Sequence, residues 1–198
     1  MNKPYIQLNQ DFPGIVSLFM YDKETAKNIS ALAETIMRRA RPQGLSVGQR
    51  ELIASFVSKV NECNFCCDSH SACTAEYLGQ DVVDEVIRNQ NAEYLPPRMQ
   101  SLLSVAACVA LLDREQLSKQ IAIAKEQGAN DEEIHDTVLV AAMFCMCNRY
   151  VDGLGTTFKA GEPEEGGRGL AKYGYNFGIR RFFGEVFPKM WSKFWNRP

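Results

Sequence analysis

The chain lacks any apolar run approaching the ~18–20 residues of a membrane span, so no transmembrane helix is expected. Its opening, MNKPYIQLNQDFPGI, lacks the continuous apolar stretch of a signal peptide, and a soluble cytoplasmic protein is the expectation. A large charge of either sign is also missing. The formal net charge is −2, which gives no overall drive toward nucleic acid or an anionic membrane, and neither partner is expected. Histidine is scarce, with two residues, and no second C-x-x-C or H-x-x-H accompanies the one cysteine pair described below. No segment of length alternates apolar and polar residues as a half-buried strand does, and repeats and low-complexity tracts are missing too.

What the chain does have is helical periodicity. Its 198 residues and 45% apolar content suffice for one domain with a real core. Residues 22–39 place Ala26, Ile29, Leu32, Ala33, Ile36 and Met37 along one stripe. Ser46 and Gln49 form a capping-box pattern for a helix over 47–62. A third helix is predicted over 65–78, stopped by Gly79, and a short one over 81–90. Pro96 and Pro97 suit a helix start, and an apolar helix follows through MQSLLSVAACVALL. Asp113 caps a helix over 114–127 that Gly128 ends. The Asn130/Glu133 pair opens a long helix through VLVAAMFCMCNRYVDGL. The predicted fold class is all-α.

The end of the chain differs. Residues 161–169 (GEPEEGGRG) are polar, with four Gly and a Pro, and are predicted to be a linker between a body over 1–160 and a tail over 170–198. The tail carries nine aromatics, including Tyr173, Tyr175, Trp191 and Trp195, with six Lys or Arg and one acid, Glu185. It is expected to pack on the body or on a neighbouring subunit rather than on a membrane surface.

Seven cysteines are many for a chain with no secretion signal, which makes a disulfide framework the weaker explanation. Four of them, Cys63, Cys66, Cys67 and Cys73, fall in one short segment. A C-x-x-C pair at a helix start can close into a small disulfide, and one partner gains thiolate character from the helix terminus. A thiolate attacks a peroxide, and the sulfenic acid formed condenses with the second thiol. His70, four residues after Cys66, lies one helical turn away and can take the thiol proton directly or through water. Glu51 lies twelve residues before Cys63 and reaches His70 if the two helices fold back on one another. Zinc on two thiolates and an imidazole is an open alternative, completed by Cys67 or Glu51. A general thiol–disulfide oxidoreductase and a non-catalytic oligomeric scaffold are the others. Cys108, Cys145 and Cys147 sit in apolar runs and are expected in the core. His135, amid the acids of DEEIHD, is expected to face solvent.

The pattern E-x(11)-C-x-x-C-x-x-x-H resembles the alkyl hydroperoxidase D family, within the carboxymuconolactone decarboxylase-like superfamily. LSVGQRELIASFVSKVNECNFCCDSHSACTAEYLG looks like the core hairpin of its peroxidase-related branch, and GIVSLFMYDKETAKNISALAETIMR and NRYVDGLG extend the likeness over roughly residues 12–158. The resemblance implies an all-α fold assembling as trimers or hexamers, and a thiol peroxidase with no metal or organic cofactor. It implies that Cys66 attacks the hydroperoxide and Cys63 resolves, that His70 and Glu51 match the family's relay, and that a lipoyl-bearing or thioredoxin-like protein returns the electrons. Two departures stand out. Phe65 occupies the place of a relay histidine between the cysteines of the best-known member, and Cys67 is extra.

Overall fold

A computed structural model describes residues 3–8 and 12–176. Nine helices are formed among the described residues, and no strand. They are α1 (Ile15–Tyr21), α2 (Lys23–Arg38), α3 (Val47–Val60), α4 (Asn64–Leu78), α5 (Gln80–Val82), α6 (Pro97–Leu111), α7 (Arg114–Glu126), α8 (Asp131–Gly153) and α9 (Glu162–Tyr173). The all-α expectation holds. No described helix is long and apolar enough to cross a membrane.

The helix starts follow the local chemistry. Asp22, Ser46, Asp113 and Asn130 each accept a backbone N–H of the first turn, and Ser46/Gln49 and Asn130/Glu133 are complete capping boxes. Two elements depart from the predictions. Residues 81–90 wind partly as π-helix over Val83–Arg88, the looser turn letting Val83, Val86 and Ile87 all reach the core. The predicted linker over 161–169 is instead the first part of α9. Pro163 stands in the first turn, where its missing N–H costs nothing, and Glu162, Glu164 and Glu165 sit at the positive end of the helix dipole. Its glycines serve packing. A Cβ at Gly167 would run into the backbone carbonyl of Ser69 and lie 2.9 Å from the Ala72 Cβ, so glycine lets α9 lie directly against α4. Gly167→Ala is therefore expected to cost about 1–3 kcal/mol, read as a lower denaturant midpoint with earlier proteolysis at α9. Unchanged stability would show that α9 adjusts freely.

The main core gathers Met37 of α2, Leu52, Ile53 and Val57 of α3, Leu102, Leu103 and Val105 of α6, and Val140, Ala141 and Phe144 of α8. One ion pair crosses it. Arg50 and Asp136 are 1% and 3% exposed and meet at 2.8 Å (Nη2 to Oδ2). Arg50 Nη1 also donates to the Arg39 carbonyl at 2.7 Å, and Asp136 accepts the Leu45 N–H at 3.3 Å, so the pair pins the α2–α3 loop to α8.

The turn between α3 and α4 positions the site. Cys63 N–H donates to the Ser58 carbonyl (2.9 Å) and Glu62 N–H to the Lys59 carbonyl (3.0 Å), which together make a Schellman stop. Glu62 takes the left-handed position, φ 60°, that glycine usually fills. The chain thus reverses within a few residues, and Cys63 becomes the N-cap of α4.

Candidate active site

Residues 63, 66, 70 and 73 recur every three or four positions, so α4 presents Cys63, Cys66, His70 and Cys73 along one face. The side chains of α8 meet that face in reverse order. Asp152 lies beside Cys63, Asn148 beside Cys66, and Phe144 stands edge-on to the His70 ring at 4.4 Å. From the other side α3 supplies Glu51. The structure brings the four sequence-predicted residues, Cys63, Cys66, His70 and Glu51, into one buried strip.

The two thiols are free and adjacent, with Cys63 fully buried and Cys66 4% exposed. With Phe65, Val151 and Ile15 they form an apolar cluster of their own, and Phe158 packs on Phe65 at 5.6 Å between ring centroids. Cys67 points into the main core instead, because one residue further along a helix turns the side chain by about 100°. Burial pushes its thiol up. Cys73 is fully buried beside the Glu51 carboxylate, and burial followed by that negative charge raises its thiol.

The expectation of thiolate character is not met at Cys66. Its thiol is held well above the ordinary range, first by the hydrogen bond with Cys63, then by burial, while the Asn148 hydrogen bond acts the other way. Two effects oppose the helix terminus, a low-dielectric surrounding and a neighbouring sulfur with which any negative charge must be shared. A proton acceptor is then needed when the thiol reacts.

An imidazole–carboxylate pair lies one helical turn along α4 from Cys66. His70 Nδ1 lies 2.8 Å from Glu51 Oε2, with Glu51 fully buried and His70 7% exposed. The second carboxylate oxygen accepts the Tyr175 hydroxyl at 2.9 Å, and that hydroxyl is also 3.5 Å from His70 Nδ1. An imidazole whose Nδ1 is held by a carboxylate has its Nε2 free to take a proton. The described hydrogen bonds of His70 go to Glu51 and Tyr175, while Cys63 and Asn148 are the polar neighbours of Cys66.

Four residues in this strip were not singled out from the sequence. Cys147, expected only as core, is buried close enough to Cys63 for mutual electrostatic influence, and burial pushes its thiol up to about 12. Asn148 is 1% exposed and tied on both sides, donating to Ser58 Oγ at 3.0 Å and accepting from Asn61 Nδ2 at 2.9 Å. A lone amide after the apolar run FCMC was its signal, since a buried polar group needs partners. Asp152 and Tyr175 gave none. His135 is exposed on its side chain, as expected. Among the described residues no three His, Cys, Asp or Glu converge to hold a metal ion.

The architecture defines a class, an all-α fold whose central hairpin carries a buried dithiol with a Glu–His pair one turn away. The fold is shared with two solved structures. One is an uncharacterized peroxidase-related protein from Silicibacter sp. TM1040, with TM-score 0.66 and 23% identity over 75% of this chain and 77% of that one. The other, described as an alkylhydroperoxidase AhpD core, is an uncharacterized peroxidase-related protein from Ralstonia eutropha JMP134, with TM-score 0.68 and 24% identity over 78% and 81%. Residues 80–157 match the carboxymuconolactone decarboxylase family, a stretch that holds Cys147, Asn148 and Asp152 and begins after the dithiol. No curated protein matches the chain. The chain is thus similar in fold to these two peroxidase-related structures and, over residues 80–157, similar in sequence to the carboxymuconolactone decarboxylase family.

Proposed function

We propose that the protein is a thiol-dependent peroxidase, and that the buried Cys63–Cys66 dithiol beside the Glu51–His70 pair carries this reading. In the cycle, the Cys66 proton passes to His70 as the thiolate attacks the outer oxygen of a hydroperoxide. The O–O bond breaks, the leaving alkoxide takes the proton from His70 and departs as an alcohol, and Cys66 becomes a sulfenic acid. The Cys63 thiol then attacks Cys66, water leaves, and a disulfide forms. A dithiol reductant, of lipoyl-bearing or thioredoxin-like type, exchanges with that disulfide and restores both thiols. The likeness in fold to two peroxidase-related proteins supports the reading. Assembly into homo-oligomers and a cytoplasmic setting belong to the same proposal.

The test is cumene hydroperoxide consumption by the reduced protein with a small dithiol in excess. Because burial and Cys63 raise the Cys66 thiol, the thiolate fraction grows with pH throughout the neutral range. Turnover is expected to climb steadily from pH 6 to pH 9. A rate already level at pH 6 would contradict the raised thiol, and no consumption at any pH would remove the peroxidase reading.

A further inference from the structure

The C-terminal end of α9 is fastened with more polar contacts than a surface helix needs. Arg38 Nη1 of α2 donates to the Leu170 and Ala171 carbonyls, both at 3.2 Å, and the Tyr77 hydroxyl of α4 donates to Ala171 at 2.9 Å. Arg38 also holds the Tyr77 oxygen at 2.7 Å. A cation on the last carbonyls is a favourable helix stop. Gly174, φ 76°, then turns the chain, and the Tyr175 N–H is caught by Glu34 Oε2 at 2.8 Å. The outcome is that Tyr175, partly buried against the core, lies nearly parallel to the His70 ring, 13° between planes, with its hydroxyl on Glu51. A tail aromatic that merely covered apolar surface would have no need of a buried carboxylate.

We propose that Tyr175 is a positioning residue of the dithiol site, which holds Glu51 by its free oxygen so that the other oxygen stays on His70 Nδ1 and the imidazole keeps Nε2 for the Cys66 proton. This rests on Cys66 as the reacting thiol. Tyr175 itself keeps its proton throughout. Burial and the adjacent Glu51 charge hold its hydroxyl protonated, so it acts as a fixed donor. Among the described residues, the titratable groups facing Glu51 are His70, Cys73 and Tyr77 from α4 and Tyr175 itself, with the Arg38 guanidinium of α2 on Tyr77. Two hydrogen bonds to a carboxylate favour its charged form, and removing one disfavours it. Without the hydroxyl, nothing holds the second Glu51 oxygen, and the carboxylate is free to turn away from His70 Nδ1.

The test reads Cys66 alkylation by iodoacetamide against pH, by mass spectrometry of the 63–67 peptide. In Tyr175→Phe the acid limb of the rate is expected to move up by about one pH unit, a loss of about tenfold below it. Tyr77→Phe removes a hydroxyl whose hydrogen bonds go to Arg38 and the Ala171 carbonyl and not to Glu51, and its limb is expected to stay in place. A more acidic phenol, 3-fluorotyrosine placed at position 175, is expected to move the limb the opposite way, and it serves equally if Tyr175→Phe does not fold. Unmoved limbs in the position-175 variants, or an equal shift in Tyr77→Phe, would overturn the proposal by leaving Tyr175 a structural role only. The readout needs no peroxide turnover. A shift in a protein that consumes no hydroperoxide would uphold the Tyr175 role and count only against the peroxidase.

Discussion

Cys66→Ser is expected to consume no hydroperoxide while keeping its helical content and a stability within about 1 kcal/mol of the parent. Serine matches the thiol in size but forms no sulfenic acid, so the O–O bond is never broken. Cys63→Ser separates the two steps. It is expected to react once, consume one equivalent and stop at a Cys66 sulfenic acid that dimedone traps, because the resolving thiol is missing. The environments of the two sulfurs make this comparison informative. Cys63 is fully buried at the N-cap of α4 with the Asp152 carboxylate beside it, whereas Cys66 has slight exposure, the Asn148 amide, and His70 one turn along the helix. A sulfenic acid trapped at Cys63 in Cys66→Ser would reverse the assignment and make Asp152 the base. Full turnover in Cys66→Ser would remove the dithiol mechanism.

The largest stability effect is expected at Asp136. Its carboxylate neutralises the buried Arg50, accepts the Leu45 N–H, and meets Arg41 Nε at 3.4 Å. Asp136→Ala leaves a guanidinium in the core with two donors unpaired. Breaking such a pair by removing one partner costs about 3–5 kcal/mol, roughly 6–20 °C in melting midpoint for a chain of this size. The cost arises from the charge left behind, more than from the attraction lost. The double variant Arg50→Met with Asp136→Leu, which removes both charges, is therefore expected to recover part of the loss. A single Asp136→Ala variant within about 1 kcal/mol of the parent would show that water reaches Arg50.

Much of the fold was legible because its punctuation is local. Ser46, Asp113 and Asn130 cap helices using residues three positions away, and Gly79 and Gly128 end them at positive φ. Where the same backbone turn uses an ordinary residue, as at Glu62 and Leu112, composition gave no signal. The α9 segment misled for the opposite reason. Its Gly and Pro read as breakers, yet Pro163 sits where a helix starts and Gly167 answers to α4, a neighbour far away in sequence. The site divides along the same line. Cys63, Cys66 and His70 share one helix, so spacing alone put them on one face, and Glu51 followed from the hairpin. Asn148, Asp152 and Tyr175 come from α8 and beyond α9, and only tertiary packing brings them in. Tyr175 was one of nine tail aromatics until the chain reversal at Gly174 took it inward. Of the predicted tail, residues 177–198 lie outside the described residues.

The most direct measurement is a thiol count on the reduced protein before and after one equivalent of cumene hydroperoxide, with peptide mapping of the 63–67 segment. The expected result is rapid loss of two thiols and a Cys63–Cys66 disulfide, with Cys67 and Cys73 still alkylatable after denaturation. An unchanged thiol count in a folded protein, or a disulfide through Cys67 in place of Cys66, would contradict it.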